Sequence, residues 1–122
     1  MVYTTYIDKI KKLPTNSLKL IVMRYRPNIN LFEVENVKFL PSLSPSSELL
    51  FSYKNNEITF KEFSLKFRKQ IENDLKALKL LEKIKHTKCD VFLICCEKSQ
   101  FECHRSILSN ILNEMGCECK EF

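Results

Sequence analysis

The sequence predicts an α/β fold, small and Rossmann-like, with a mostly parallel sheet flanked by helices. Three observations carry this. Leu18–Met23 is a β-rich apolar run, and Val91–Cys96 is a continuous one of strand length, as in a parallel strand buried on both faces. Between them Phe60, Phe63, Phe67 and Ile71 recur at helical spacing, and Leu75, Leu78, Leu81 and Ile84 continue the stripe. The second apolar run is followed by a polar loop and then by Ile107, Leu108, Ile111 and Leu112, which makes a strand–loop–helix unit.

In chain order, Val2 to Thr5 reads as a short strand, and Ile7, Ile10 and Leu13 continue at helical spacing until Pro14 stops them. Leu18–Met23 is a buried strand that opens onto the basic-aromatic loop Arg24-Tyr25-Arg26-Pro27. Residues 28–44 are irregular, and a surface loop with at most one short strand is expected there. Ser44-Pro45-Ser46-Ser47-Glu48 predicts a helix start, with Ser44 as the cap, Pro45 in the first turn and an end at Asn55-Asn56. Thr59 and Glu62 form a capping box for the next helix, with a break expected near Asn73-Asp74. Lys66, Arg68, Lys69, Lys76, Lys79, Lys83 and Lys85 occupy its opposite surface and read as a solvated face. Val91–Cys96 is the expected central parallel strand, Cys103-His104-Arg105 opens the last helix, and Gly116 caps its end. Residues 117–122 form either an edge strand or a frayed tail.

The chain has 122 residues, the size of one domain (1–122), and should bury about two-thirds of its unfolded surface. No apolar run approaches the roughly 20 residues of a membrane span, and the first residues lack the basic and apolar stretches of a signal peptide. A cytoplasmic location is therefore expected. The six cysteines are then core residues, ligands or catalytic groups rather than disulfides. A net charge of +5 fits a solvated surface or weak nucleic-acid contact. The lone glycine, Gly116, excludes the glycine-rich loops of dinucleotide-binding and P-loop enzymes.

In an open α/β sheet ligands gather beyond the carboxyl ends of the strands, where helix N-termini present free amides. If the two apolar strands are parallel neighbours, Arg24 and Arg26 converge there on Glu97, Cys103, His104 and Arg105. Cys103 is the candidate nucleophile, because a helix dipole and nearby cations stabilise a thiolate. His104 is the candidate acid or base, and Arg24, Arg26 and Arg105 are candidate anion ligands. Glu97 would orient His104 or contact a ribose. The alternative is that Cys103 packs, His104 is an exposed helix residue and Arg105 is a surface charge. Cys95 or Cys96 with Cys103, His104, Cys117 and Cys119 could supply soft metal ligands, but the spacing matches no zinc finger; no metal and no cofactor is expected. Cys95 and Cys96 point to opposite faces of the strand, so at most one could join such a cluster. His86, near a helix C-terminus, is expected to be non-catalytic.

Leu93-Ile94-Cys95-Cys96-Glu97-Lys98 followed by Cys103-His104-Arg105 resembles the strand–loop–helix signature of the domain of unknown function 488 family. Tyr3-Thr4-Thr5-Tyr6 with Lys9 to Leu13, Arg24-Tyr25-Arg26-Pro27, and Leu43 to Leu50 with Tyr53-Lys54 agree with it in order, so the likeness spans nearly the whole chain. The chain departs from that pattern at Cys96, where the family usually has an aromatic, at Ser99-Gln100, where it has Pro-Gly, and at Phe101-Glu102, where an acidic residue precedes an aromatic. The resemblance implies the fold and a site at Cys103-His104-Arg105, with no established substrate. Two functions are carried forward. One is binding of, or cysteine-dependent catalysis on, a phosphate-bearing or nucleotide-like small molecule. The other is a non-enzymatic protein that binds nucleic acid or another protein through its lysine-rich helices, for instance in a phage-host or defence setting.

Overall fold

A computed structural model describes residues 1–99 and 102–122. Five strands, β1 (Val2–Tyr6), β2 (Leu18–Ile21), β3 (Val37–Phe39), β4 (Val91–Cys95) and β5 (Cys119–Glu121), form one sheet in the order β3-β2-β4-β1-β5. Every pairing is parallel. β4 is central because its five residues are all buried, so neither of its faces tolerates solvent. Period-two alternation sends Val91, Leu93 and Cys95 to one core and Phe92 and Ile94 to the other.

The larger core receives the helices α1 (Ser47–Lys54), α2 (Phe60–Glu72), α3 (Leu75–Lys85) and α4 (His104–Glu114). Phe63, Phe67 and Ile71 of α2, Leu81 and Ile84 of α3, and Leu108 and Leu112 of α4 are buried there. Each such side chain contributes about 1.5–3 kcal/mol by leaving water. The sheet's other face is covered without an α-helix: a 3-10 turn at Ile7–Lys12 brings Ile10, and the loop before β3 brings Ile29, Leu31 and Val34. The irregular stretch thus holds one strand, β3, and also closes a core.

Local signals set most boundaries. The Thr59–Glu62 capping box is present with both of its bonds, and Asp74 caps α3 through the Lys76 and Ala77 amides, which places the expected break. Leu75 departs from the expected stripe; as the first residue of α3 it is 66% exposed. The start of α1 is also corrected. Ser46, not Ser44, is the cap, its hydroxyl accepting from the Leu49 amide, while Ser44 is buried and Pro45 precedes the helix. Asn56, with φ of 59°, turns the chain after α1, and Gly116, with φ of 84°, follows α4, where a residue without Cβ is favoured. Among the described residues no helix is long and apolar enough to cross a membrane.

A polar residue inside β2 shows how the sheet tolerates charge. Lys19 is 1% exposed, and its ammonium donates to the carbonyls of Ser17 and Glu35 at 3.1 and 3.0 Å. Burial lowers its pKa, and Glu35 opposes the shift.

Candidate functional site

The pairing of β2 with β4 brings the two apolar strands side by side, so the segments after Ile21 and Cys95 leave the sheet together. The chain reaches β4 from β3 on one flank and then proceeds to β5 on the other, which makes the carboxyl end of β4 the point where strand order reverses. A cavity of about 150 Å³ opens there. Met23, Leu50, Tyr53 and Phe63 make it largely apolar, Arg24, Lys54, Glu97 and Glu102 give it charge, and Cys103 and His104 line it.

Cys103 occupies the cap position of α4 in extended backbone and is 2% exposed. Its sulfur makes no capping hydrogen bond of good geometry, yet three groups favour its anion. The Cys95 thiol donates to it, His104 hydrogen-bonds it, and the Arg105 amide faces it. These outweigh burial and draw its pKa down to about 5. Cys95 moves the opposite way. Burial first, and then its bond to Cys103, push it well above the ordinary thiol range, so it stays protonated as the donor.

His104 is 9% exposed and is held edge-on by the Phe67 ring at 5.5 Å between centroids. Its Nε2 lies 2.5 Å from the Val22 carbonyl and 3.4 Å from the Cys95 sulfur. A carbonyl only accepts, so Nε2 carries a hydrogen and Nδ1 is the nitrogen left to exchange a proton. The same contact bears on metal binding. The side-chain ligand atoms of Cys95, Cys103 and His104 lie within 4.8 Å of one another, a group that could hold an ion. With Nε2 engaged by Val22, His104 could join such a set through Nδ1.

The remaining expected site residues divide. Arg24 lines the cavity, but its Nε and Nη2 donate to the Pro45 and Ser44 carbonyls at 2.9 and 3.1 Å, tying the β2 loop to the start of α1. Glu97 also lines it, accepting from Lys54 at 2.6 Å and from the Cys96 thiol at 3.2 Å rather than orienting His104. Burial opposes its ionisation, but these bonds hold its carboxyl below the usual range. Burial and the bond to Glu97 push Cys96 up to about 11. Arg26 is elsewhere: its guanidinium lies 4.7 Å above the Phe39 ring and lines a different depression. Arg105 is fully buried and does not line the cavity. It donates to the Glu121 carboxylate and to the Glu97 and Lys98 carbonyls, pinning the start of α4 to β5 and to the loop after β4. Convergence of three arginines is therefore corrected to one arginine and one lysine at the cavity, because Arg26 lines another depression against Phe39 and Arg105 is buried against Glu121. The loop's Gln100 and Phe101 lie outside the described residues.

Sequence reasoning weighed Cys95 only as a possible metal ligand beside Cys103 and His104, and it missed Leu50, Tyr53, Lys54, Phe63 and Glu102. For Leu50 and Tyr53 a signal existed: their i, i+3 spacing puts both on one face of α1. Elsewhere, Cys117 and Cys119 are buried and face the larger core, and His86 pairs with Glu82 at 3.0 Å on the surface of α3.

No curated protein and no solved structure matches the chain significantly. A family model does match, over residues 2–116, described as DUF488-N3a, the active DUF488-N3 subclade. With a match over nearly its whole length, a five-stranded parallel sheet and a cysteine–histidine cluster at its strand ends, the chain belongs to the DUF488-N3a family.

Proposed function

We propose that the cavity is the active site of a cysteine-dependent enzyme acting on a phosphate-bearing or nucleotide-like small molecule. The observation that carries this reading is the Cys103 sulfur, favoured as its anion by Cys95, His104 and the α4 amide while lining a mostly apolar cavity. A planar ring would meet Tyr53 and Phe63, and an anionic group would meet Lys54 and Arg24. Cys103 attacks an electrophilic carbon of the substrate, and the displaced group leaves with a proton from His104 Nδ1. Val22, holding Nε2, sets the ring's orientation, as a third group does in nucleophile–base–orienter sites.

The test is thiol alkylation against pH, resolved by peptide mass spectrometry. Midpoint, not speed, is the readout. At pH 7 a thiol of ordinary pKa 9.0 is only about 1% ionised, but drawing the pKa down to about 5 also weakens the sulfur roughly 60-fold as a nucleophile, so the two effects nearly cancel. Cys103 is expected to reach its plateau rate below pH 7, whereas a free reference thiol such as glutathione keeps rising through pH 8. A Cys103 profile that rises with that reference thiol overturns the reading. Salt-sensitive retention on nucleic acid, unaffected by Cys103→Ser, would favour the interaction role instead.

A further inference from the structure

We propose that Cys95 and Cys103 form a reversible disulfide, with Cys95 as the resolving thiol that recovers the cavity's nucleophile after a hydroperoxide has oxidised it. This rests on Cys103 being the reactive thiolate of the preceding reading, and it gives Cys95 a role that packing does not require.

The geometry points to this pair at the cavity. Their sulfurs are within 4.8 Å of each other, and a disulfide needs about 2.05 Å, a closure of under about 3 Å. Both residues sit at element ends: Cys95 is the last residue of β4 and Cys103 the cap of α4, so neither must break a helix or strand interior to turn its side chain. Cys103 lines the cavity, which gives a small peroxide a route to it, whereas Cys95 is 0% exposed and can be oxidised only through its neighbour. Cys96 also lines the cavity, but its thiol is turned to Glu97 at 3.2 Å. Cys89 is exposed, before the opposite end of β4.

In the first step the Cys103 thiolate attacks the terminal oxygen of the hydroperoxide. An S–O bond forms, the O–O bond breaks, and the alkoxide takes up a proton and leaves as an alcohol, or as water when the oxidant is hydrogen peroxide. Cys103 is then a sulfenic acid. In the second step the Cys95 sulfur attacks that of Cys103 as its own proton departs. An S–S bond forms, the S–O bond breaks, and the hydroxide leaves as water with that proton. Two thiols have lost two electrons to one peroxide, and an external dithiol restores them by exchange. Irreversible sulfinic acid at Cys103 is thereby avoided.

The experiment treats the full chain with hydrogen peroxide, blocks free thiols with iodoacetamide, and maps peptides before and after dithiothreitol. The expected result is a Cys95–Cys103 linked peptide, reversed by dithiothreitol and unchanged in Cys96→Ser. In Cys95→Ser, Cys103 should instead accumulate as sulfinic acid that dithiothreitol does not reverse. If Cys95→Ser does not fold, the map of the native chain decides alone. Sulfinic acid at Cys103 of the native chain without linkage overturns the resolving role while leaving the nucleophile reading intact, provided Cys103 shows its low-pH alkylation plateau. An absent plateau overturns both. Linkage of Cys103 to Cys96 overturns the choice of partner. Zinc retained by the reduced chain, with Cys103 unreactive until a chelator is added, overturns the redox pair in favour of a metal centre.

Discussion

Replacing Arg105 by Met removes every donor of a buried guanidinium while keeping most of its stem. Arg105 Nε and Nη2 reach the Glu121 carboxylate at 3.1 and 2.9 Å, and Nη2 reaches the Lys98 carbonyl at 3.0 Å. The ion pair is asymmetric, with the arginine side chain 0% and the glutamate 21% exposed. Removing one partner of a buried pair typically costs about 3–5 kcal/mol, because the other charge is left uncompensated. Two features place this site in the lower half of that range: Glu121 is partly hydrated, and Thr4 still donates to it at 2.6 Å. A loss of about 3–4 kcal/mol corresponds to a fall in Tm of roughly 12–16 °C at about 4 °C per kcal/mol for a chain of this size. Thermal and urea unfolding measure it, and an Arg105→Met/Glu121→Gln double-mutant cycle should show coupling, since both changes act on one pair. A loss below about 1 kcal/mol would refute the reasoning. Arg105 would then be available to a ligand, as the sequence alone suggested.

Three further outcomes are expected. The pKa of Cys103, about 5 in the folded chain against an ordinary value of 9.0, makes the unfolded chain the better proton binder between those limits. The stability Cys103 contributes is thus complete above pH 9 and lost as pH falls towards 5, so urea unfolding should show the native chain gaining on Cys103→Ala across that window; a pH-independent difference would contradict this. Phe67→Ala should cost about 3–5 kcal/mol, since Phe67 is fully exposed to neither solvent nor cavity but is 0% exposed, stacked on Phe63 and edge-on to His104. It should also disturb the Cys103 alkylation profile, and an unchanged profile would show that the ring does not position His104. Thr59→Ala should lose about 1 kcal/mol through the capping box without changing that profile, which calorimetry with alkylation can check.

Local chemistry explains what could be read before the fold was known. Strand length and unbroken apolarity mark β4 as buried on both faces, a capping box needs only Thr59 and Glu62, and a helix opening at Cys103 follows from the spacing of Ile107, Leu108, Ile111 and Leu112. These features depend on neighbours a few residues apart. The start of α1 resisted the same reasoning because two serines flank Pro45, and which of them caps depends on contacts from far along the chain: Gln70 accepts from the Ser46 amide and donates to the Ser44 carbonyl, and Arg24 holds the same carbonyl.

By itself, then, the sequence determined the α/β class, the family, and the place of Cys103-His104-Arg105 where strand gives way to helix, while the parallel pairing of β2 with β4, a condition in the sequence reading, came from the fold. Tertiary structure alone decided what those residues face. Arg105 meets Glu121 because β5 joins the sheet edge beside β1, Arg26 turns to Phe39 because β3 lies beside β2, and Cys95 meets Cys103 because the chain doubles back from β4 into α4. The physical reason is range: periodicity and capping are set within a few residues, whereas a side chain's charge state and partners are set by whichever distant segments the packing brings against it.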